Sequence, residues 1–162
     1  MNTGSTLLFL EAEDIIDIHD SILETEKGLK GMNPGKVEAI VGRVKNIYSY
    51  GEDGNDITTA FELAAHYAVA IARGHSFNDG NKRTAFVTMI SILEVNNIPL
   101  PEDLTQALID NMGNYADIMV DVADGSVDAK RLAEIISGVY LIGLTGVGLV
   151  KLISFIAQKW GS

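Results

Sequence analysis

The sequence holds no cysteine, so disulfides and thiolate metal sites are excluded. It has only three prolines in 162 residues, which permits long uninterrupted helices. Basic residues are scarce too: 12 Lys and Arg stand against 22 Asp and Glu, a formal net charge of −10. That balance argues against a general affinity for DNA or RNA, because phosphate backbones are bound by clustered cations that release counterions. No nucleic-acid partner is therefore expected, and any place where several cations converge points to a specific anion. Met1 to Leu10 lacks a basic n-region and a cleavage-like site, so it does not read as a signal peptide and a cytoplasmic location is expected.

What is present is apolar and helical. Hydrophobic residues make up 47% of the chain and charged residues 21%, a composition that supports one globular domain with a real core. No internal repeat or low-complexity linker interrupts it. Ile15, Ile16, Ile18, Ile22 and Leu23 form a helical stripe over Glu11 to Glu26. Gly28, Gly31 and Gly35 mark a loop, and Pro34 suits the start of a second helix. That helix runs to about Tyr50 with Val37, Ile40, Val41, Val44 and Ile47 on one side. After an acidic turn over Gly51 to Asn55, Asp56 is the expected N-cap of a third helix ending at Arg73-Gly74.

Small residues from Ala64 to Ala70 make this third helix a central one. Asn81 to Val95 reads as a helix apolar on most sides, which belongs in the middle of a bundle. Asn96, Asn97, Pro99 and Pro101 end it. Shorter helices are expected over Leu104 to Met112 and Asn114 to Val122, and a last one capped by Ser126 with Asp128 in its first turn. No alternating strand pattern stands out, although a short hairpin is left open. The fold class is all-α.

The loop between the two central helices carries the chemistry. In His75-Ser76-Phe77-Asn78-Asp79-Gly80-Asn81-Lys82-Arg83, two cations occupy the first turn of a helix, where the macrodipole disfavours them by about 0.3–1 kcal/mol each. Together with the exposed amides of that helix end they form a trap for an anion, and phosphate fits best. Gly80 lets the backbone approach what is bound. Asp79 is a hard oxygen ligand beside the phosphates, the usual way of holding Mg²⁺. His75 can accept a proton from a hydroxyl near neutral pH. Phe77, among polar neighbours, is expected to enter the core and pin the loop. Taken singly each feature is also ordinary loop chemistry; their conjunction describes phosphoryl-group transfer.

The run HSFNDGNKRTA resembles the signature of the Fic/Doc family, His-x-Phe-x-Asp/Glu-Gly/Ala-Asn-Gly/Lys-Arg. Ala72-Arg73-Gly74, His19-Asp20 and Ala39 to Val44 are similar to its death-on-curing (Doc) branch, and the likeness covers roughly Leu10 to Tyr140. It implies a compact helical bundle with a central helix–loop–helix, and transfer of part of a nucleotide to a protein hydroxyl. It makes His75 the general base, Asp79 the Mg²⁺ ligand, and Gly80, Asn81, Lys82 and Arg83 the phosphate cradle for ATP. The Gly28 to Gly35 loop corresponds to the family's flap over the target segment.

The AMP-transferring branch typically has Gly at position 82 and a second Arg at position 86. Here these are Lys82 and Phe86, whereas Asn81 to Ala85 follows the Doc branch. Gly80 departs slightly, since Doc-type sequences can have Ala there. The resemblance thus favours phosphorylation over AMP transfer and implies elongation factor Tu as the target, with inhibition of translation. No copy of the family's self-inhibiting Ser/Thr-x-x-x-Glu-Gly/Asn helix is found, so a separate antitoxin partner is implied.

Two other classes compete. His19-Asp20 prompts a metal-dependent phosphohydrolase, but that chemistry needs more ligands than His66 and His75 supply. A non-catalytic membrane- or partner-binding module is prompted by the carboxyl end, apolar from Ile135 to Ala157, about the length of the roughly 20 residues a spanning helix needs. Lys151 and the glycines weaken that reading. The preferred alternative ends the last core helix at Leu141, with a glycine break and a short helix over Leu149 to Trp160 packed on the body, a partner or a membrane surface. Residues 1–140 are thus read as the helical domain and residues 141–162 as an apolar tail.

Overall fold

Small side chains decide the centre of the fold. In a computed structural model, which describes residues 6–25, 31–98 and 118–144, the third helix is the hub. There are six helices among the described residues: α1 (Ala12–Thr25), α2 (Pro34–Tyr50), α3 (Ala60–Gly74), α4 (Asn81–Val95), α5 (Ile118–Asp124) and α6 (Ala129–Leu144). Leu63, Ala64, Ala65, Tyr67, Ala68 and Ile71 of α3 are fully buried. The alanines let α2, α4, α5 and α6 pack closely around α3, while α1 lies against α2 and α4. Tyr67 donates its hydroxyl to the Leu10 carbonyl at 2.7 Å, as a buried phenol must. Burial raises its pKa despite that bond. The all-α expectation is met, and α4 buries Thr84, Ala85, Phe86, Thr88, Met89, Ile92 and Leu93, as a mid-bundle helix should.

Several helix ends differ from expectation by a few residues, for local reasons. The cap of α3 is Thr59, not Asp56: Thr59 accepts from the Glu62 N–H, and Glu62 reaches back to the Thr59 N–H, a capping box. Asp56 instead accepts from the Glu52 N–H at 2.9 Å and closes the acidic turn. Burial alone would raise the Glu62 pKa, but hydrogen bonds from Thr58 and Thr59 outweigh it and hold the carboxyl below its ordinary value. At α6 the cap is Asp128, which accepts from the Arg131 N–H at 2.8 Å. Ser126 is occupied with Asp124 in the preceding turn. The α5 helix runs two residues past Val122, to Asp124, and α6 continues beyond Leu141 to Leu144. The helices expected over Leu104 to Met112 and Leu149 to Trp160 lie outside the described residues. Among the described residues no helix is long and apolar enough to cross a membrane.

His66, on α3, is buried and bonds through Nε2 to the Asn55 carbonyl at 2.7 Å. Burial lowers its pKa from the ordinary 6.5, against the opposing pull of that carbonyl and of Glu52. The folded state thus favours the neutral ring, and its contribution to stability is complete above pH 6.5 and lost as the pH falls below that value. The melting temperature of the native chain is expected to fall between pH 7 and pH 5 more steeply than that of His66→Gln, whose amide can still donate to Asn55. Parallel curves for the two proteins would refute this.

Candidate active site

The loop from His75 to Gly80 joins the two central helices, and each residue in it has a distinct setting. The left-handed position that ends α3 is His75 itself, at φ 49° and ψ 38°, one residue later than a glycine stop at Gly74 would place it. Gly74 lies close to α2: a Cβ there would stand 3.2 Å from Ile40 Cδ1, and that side chain would have to give way slightly. A non-glycine residue in this conformation costs about 1–2 kcal/mol. The strain turns the His75 side chain out of the helix, into solvent. The ring is not drawn into the core.

The backbone that follows is held from three sides. Phe77 forms an isolated antiparallel bridge with Met32: the Asn33 N–H donates to the Ser76 carbonyl at 2.7 Å, and the Asn78 N–H to the Gly31 carbonyl at 3.1 Å. This is the described part of the Gly28 to Gly35 loop. The Phe77 side chain is 3% exposed and stacks on the His19 ring at 3.9 Å between centroids. The ring enters the core, as expected. From α4, the Asn81 carboxamide clamps the Phe77 backbone, accepting from its N–H at 3.2 Å and donating to its carbonyl at 2.8 Å. That side chain is committed to the loop, so what Asn81 offers an anion is its backbone amide.

The start of α4 is bare. Its N-cap is Gly80, left-handed at φ 81°, with no side-chain cap and no acidic residue in the first turn. Helix amides left without a cap are satisfied by water or by a bound anion. Lys82 is exposed there and Arg83 half-buried. Asp79 is exposed and accepts from the Gly80 N–H through Oδ1 at 2.8 Å. No group of three or more His, Asp or Glu able to cage a metal occurs among the described residues. A single outward carboxylate beside bare helix amides fits Mg²⁺, which binds through one or two carboxylates and completes its shell with water and substrate phosphates.

Residues 9–93, which contain α1 to α3, this loop and most of α4, match the Fic/DOC family. The chain belongs to the Fic/Doc family. It is 36% identical over 132 residues to a protein of Escherichia phage P1 named protein kinase doc, a match covering 81% of this chain and 94% of that one. Over 138 residues it is 28% identical to a protein of Mycolicibacterium smegmatis named toxin Doc, covering 85% and 98% respectively.

Two residues of this Fic/Doc loop's surroundings were not singled out as its supports by sequence reasoning. His19, set aside there as a metal ligand in favour of a partly buried helix residue, is fully buried and bonds through Nε2 to the Asp79 carbonyl at 2.8 Å. Arg73, which read as a simple helix-ending cation, donates from Nε to the Val122 carbonyl at 2.7 Å and from Nη2 to the Val127 carbonyl at 2.9 Å. It thereby ties the His75 end of α3 to the last turn of α5 and to the loop between α5 and α6. Only a contact across many residues explains either role. A histidine on the buried stripe of α1, in register with Ile15 and Ile22, was the one local hint.

Proposed function

We propose that this Fic/Doc protein is the toxin of a toxin–antitoxin pair. It transfers the γ-phosphate of ATP to a hydroxyl of a protein target, elongation factor Tu, in the cytoplasm, and a separate antitoxin chain restrains it. The observation that carries the reading is the fixed loop, which leaves His75, Asp79 and Lys82 facing solvent around the uncapped end of α4. The names of the phage P1 and mycobacterial relatives, a protein kinase and a toxin, support it. So does position 86. The AMP-transferring branch carries a second Arg there, and here the place is held by Phe86, buried in the core, where a cation would be costly.

The loop's own residues suit the reaction. His75 takes the proton of the target hydroxyl as that oxygen bonds to the γ-phosphorus and the bond to the departing ADP breaks. The amides at the start of α4, with Lys82 and Arg83, bind and orient the phosphates, since positioning and charge neutralisation carry most of phosphoryl transfer. Asp79 would hold Mg²⁺, which when bound neutralises charge on the phosphates.

The test is incubation of the chain with elongation factor Tu and ATP labelled at either the α or the γ position. Label on the target from γ-labelled ATP only, with a mass increase matching phosphate, is the expected result. Label from the α position would replace this reading with AMP transfer. Growth arrest that survives His75→Ala but needs the residues after Tyr140 would replace it with a non-catalytic module.

A further inference from the structure

One imidazole underlies the whole phosphate-binding turn. The His19 ring, on α1, is 1% exposed and touches three positions of a loop about 60 residues away in sequence. Its face stacks on Phe77, with planes 11° apart. Its Nε2 lies 2.8 Å from the Asp79 carbonyl oxygen. Its Cδ2–Nε2 edge lies beneath Gly80, where an added Cβ would stand 3.5 and 3.6 Å from those two atoms. A carbonyl only accepts, so Nε2 carries the proton and donates. The other ring nitrogen, Nδ1, lies 3.2 Å from the Asp20 carboxylate; the stack on Phe77 and the Nε2 bond fix the rotation of the ring.

The Asp79 carbonyl and the Gly80 N–H belong to the same planar peptide unit, so holding one orients the other. The Gly80 N–H in turn donates to Asp79 Oδ1 at 2.8 Å. A rigid relay therefore runs from His19 Nε2 through the 79–80 peptide to the Asp79 carboxylate. We propose that His19 is a positioning residue: through this peptide it aims the Asp79 carboxylate at Mg²⁺. The inference rests on the transferase reading above. It assigns His19 no contact with substrate and no metal-ligand role.

Two substitutions separate the relay from packing. His19→Phe keeps a ring to stack on Phe77 but has no donor. His19→Gln gives up the ring but can place an amide N–H at similar reach. Each is made in the full chain carrying His75→Ala, so that no turnover occurs, and ATP binding is measured by calorimetry with and without Mg²⁺. Outer supports of a metal ligand commonly tune affinity by about 10–100-fold. His19→Phe is expected to weaken Mg²⁺-dependent binding by that order and to leave Mg²⁺-free binding unchanged, with His19→Gln recovering most of the loss. The amide resonance of Gly80 in the ligand-free protein is expected to move in His19→Phe and to return toward its original position in His19→Gln.

Losses that follow melting temperature in both variants, or parent-like binding by His19→Phe, overturn the positioning role. If the His75→Ala parent binds no ATP under either condition, the transferase reading fails and takes the role with it. The Gly80 resonance, read without ligand, then still shows whether the relay itself exists, which separates the two failures.

Discussion

Replacing His75 by glycine is expected to yield a protein that is more stable and inactive. Removing a general base lowers transfer by about 10²–10⁴-fold, and His75→Ala should match that loss. The stability effects differ because the backbone at this position is left-handed, at φ 49°. Glycine avoids the roughly 1–2 kcal/mol that an L side chain pays there, and gives back about 0.5–1 kcal/mol through its freer unfolded chain. The net gain runs up to about 1.5 kcal/mol, which at roughly 2–4 °C per kcal/mol raises the melting temperature by up to about 6 °C. Alanine keeps the strain and should melt with the parent.

The exposed ring makes no hydrogen bond among the described residues that the substitution would break. A glycine variant that melts lower would mean that the ring has a structural role. One that still transfers phosphate would remove His75 from the chemistry. Strain held at a functional residue by a scaffold that over-determines it is a known arrangement, and here the scaffold is visible: Gly74 against Ile40, and Arg73 on the carbonyls of Val122 and Val127.

The elements and their order were legible wherever the signal is local. The limits of α4 follow from Gly80 before it and Asn96-Asn97 after it, and α2 begins at Pro34 because that residue has no N–H to leave unpaired. Phe77 was legible as an anchor because it is the one large apolar side chain in a polar loop. The misplaced caps were also legible, at a finer grain. Thr59 and Glu62 stand three residues apart, the spacing of a capping box, and Asp128 stands three before Arg131. Asp56 and Ser126 are equally good capping types, and only the partner decides between them.

The remaining features had no local signature. The left-handed turn falls on His75, one residue past Gly74, whose own place leaves little room for a side chain beside Ile40 of another helix. The support of Asp79 by His19 joins residues 60 apart. Asn81 reads as an anion ligand by type, yet its side chain turns back on Phe77. In the first two cases the residue read as chemistry-bearing lies in the motif and the residue that positions it does not, because positioning is done through tertiary contacts that leave no periodicity.

Phe77→Ala is therefore expected to have the largest effect on stability of any substitution within the loop. The side chain is 3% exposed and belongs to the main core cluster with Val37, Ile40 and Ile71, so truncation removes its transfer energy and leaves a cavity, together roughly 3–5 kcal/mol. At roughly 2–4 °C per kcal/mol this lowers the melting temperature by on the order of 10 °C. The loss reaches further than packing. His19 loses the ring on which it stacks at 3.9 Å, and the Asn81 clamp closes on a backbone no longer fixed by a buried side chain.

Nucleotide binding should consequently weaken even at low temperature, where Phe77→Ala is still folded. Phe77→Leu, which fills most of the volume without the flat face, should recover stability more fully than binding. Equal recovery of both by leucine would mean that volume alone holds the loop and that the stack contributes nothing. A melting temperature for Phe77→Ala close to that of the parent would show that the loop is anchored by its backbone pairing with Gly31 and Asn33 rather than by the ring.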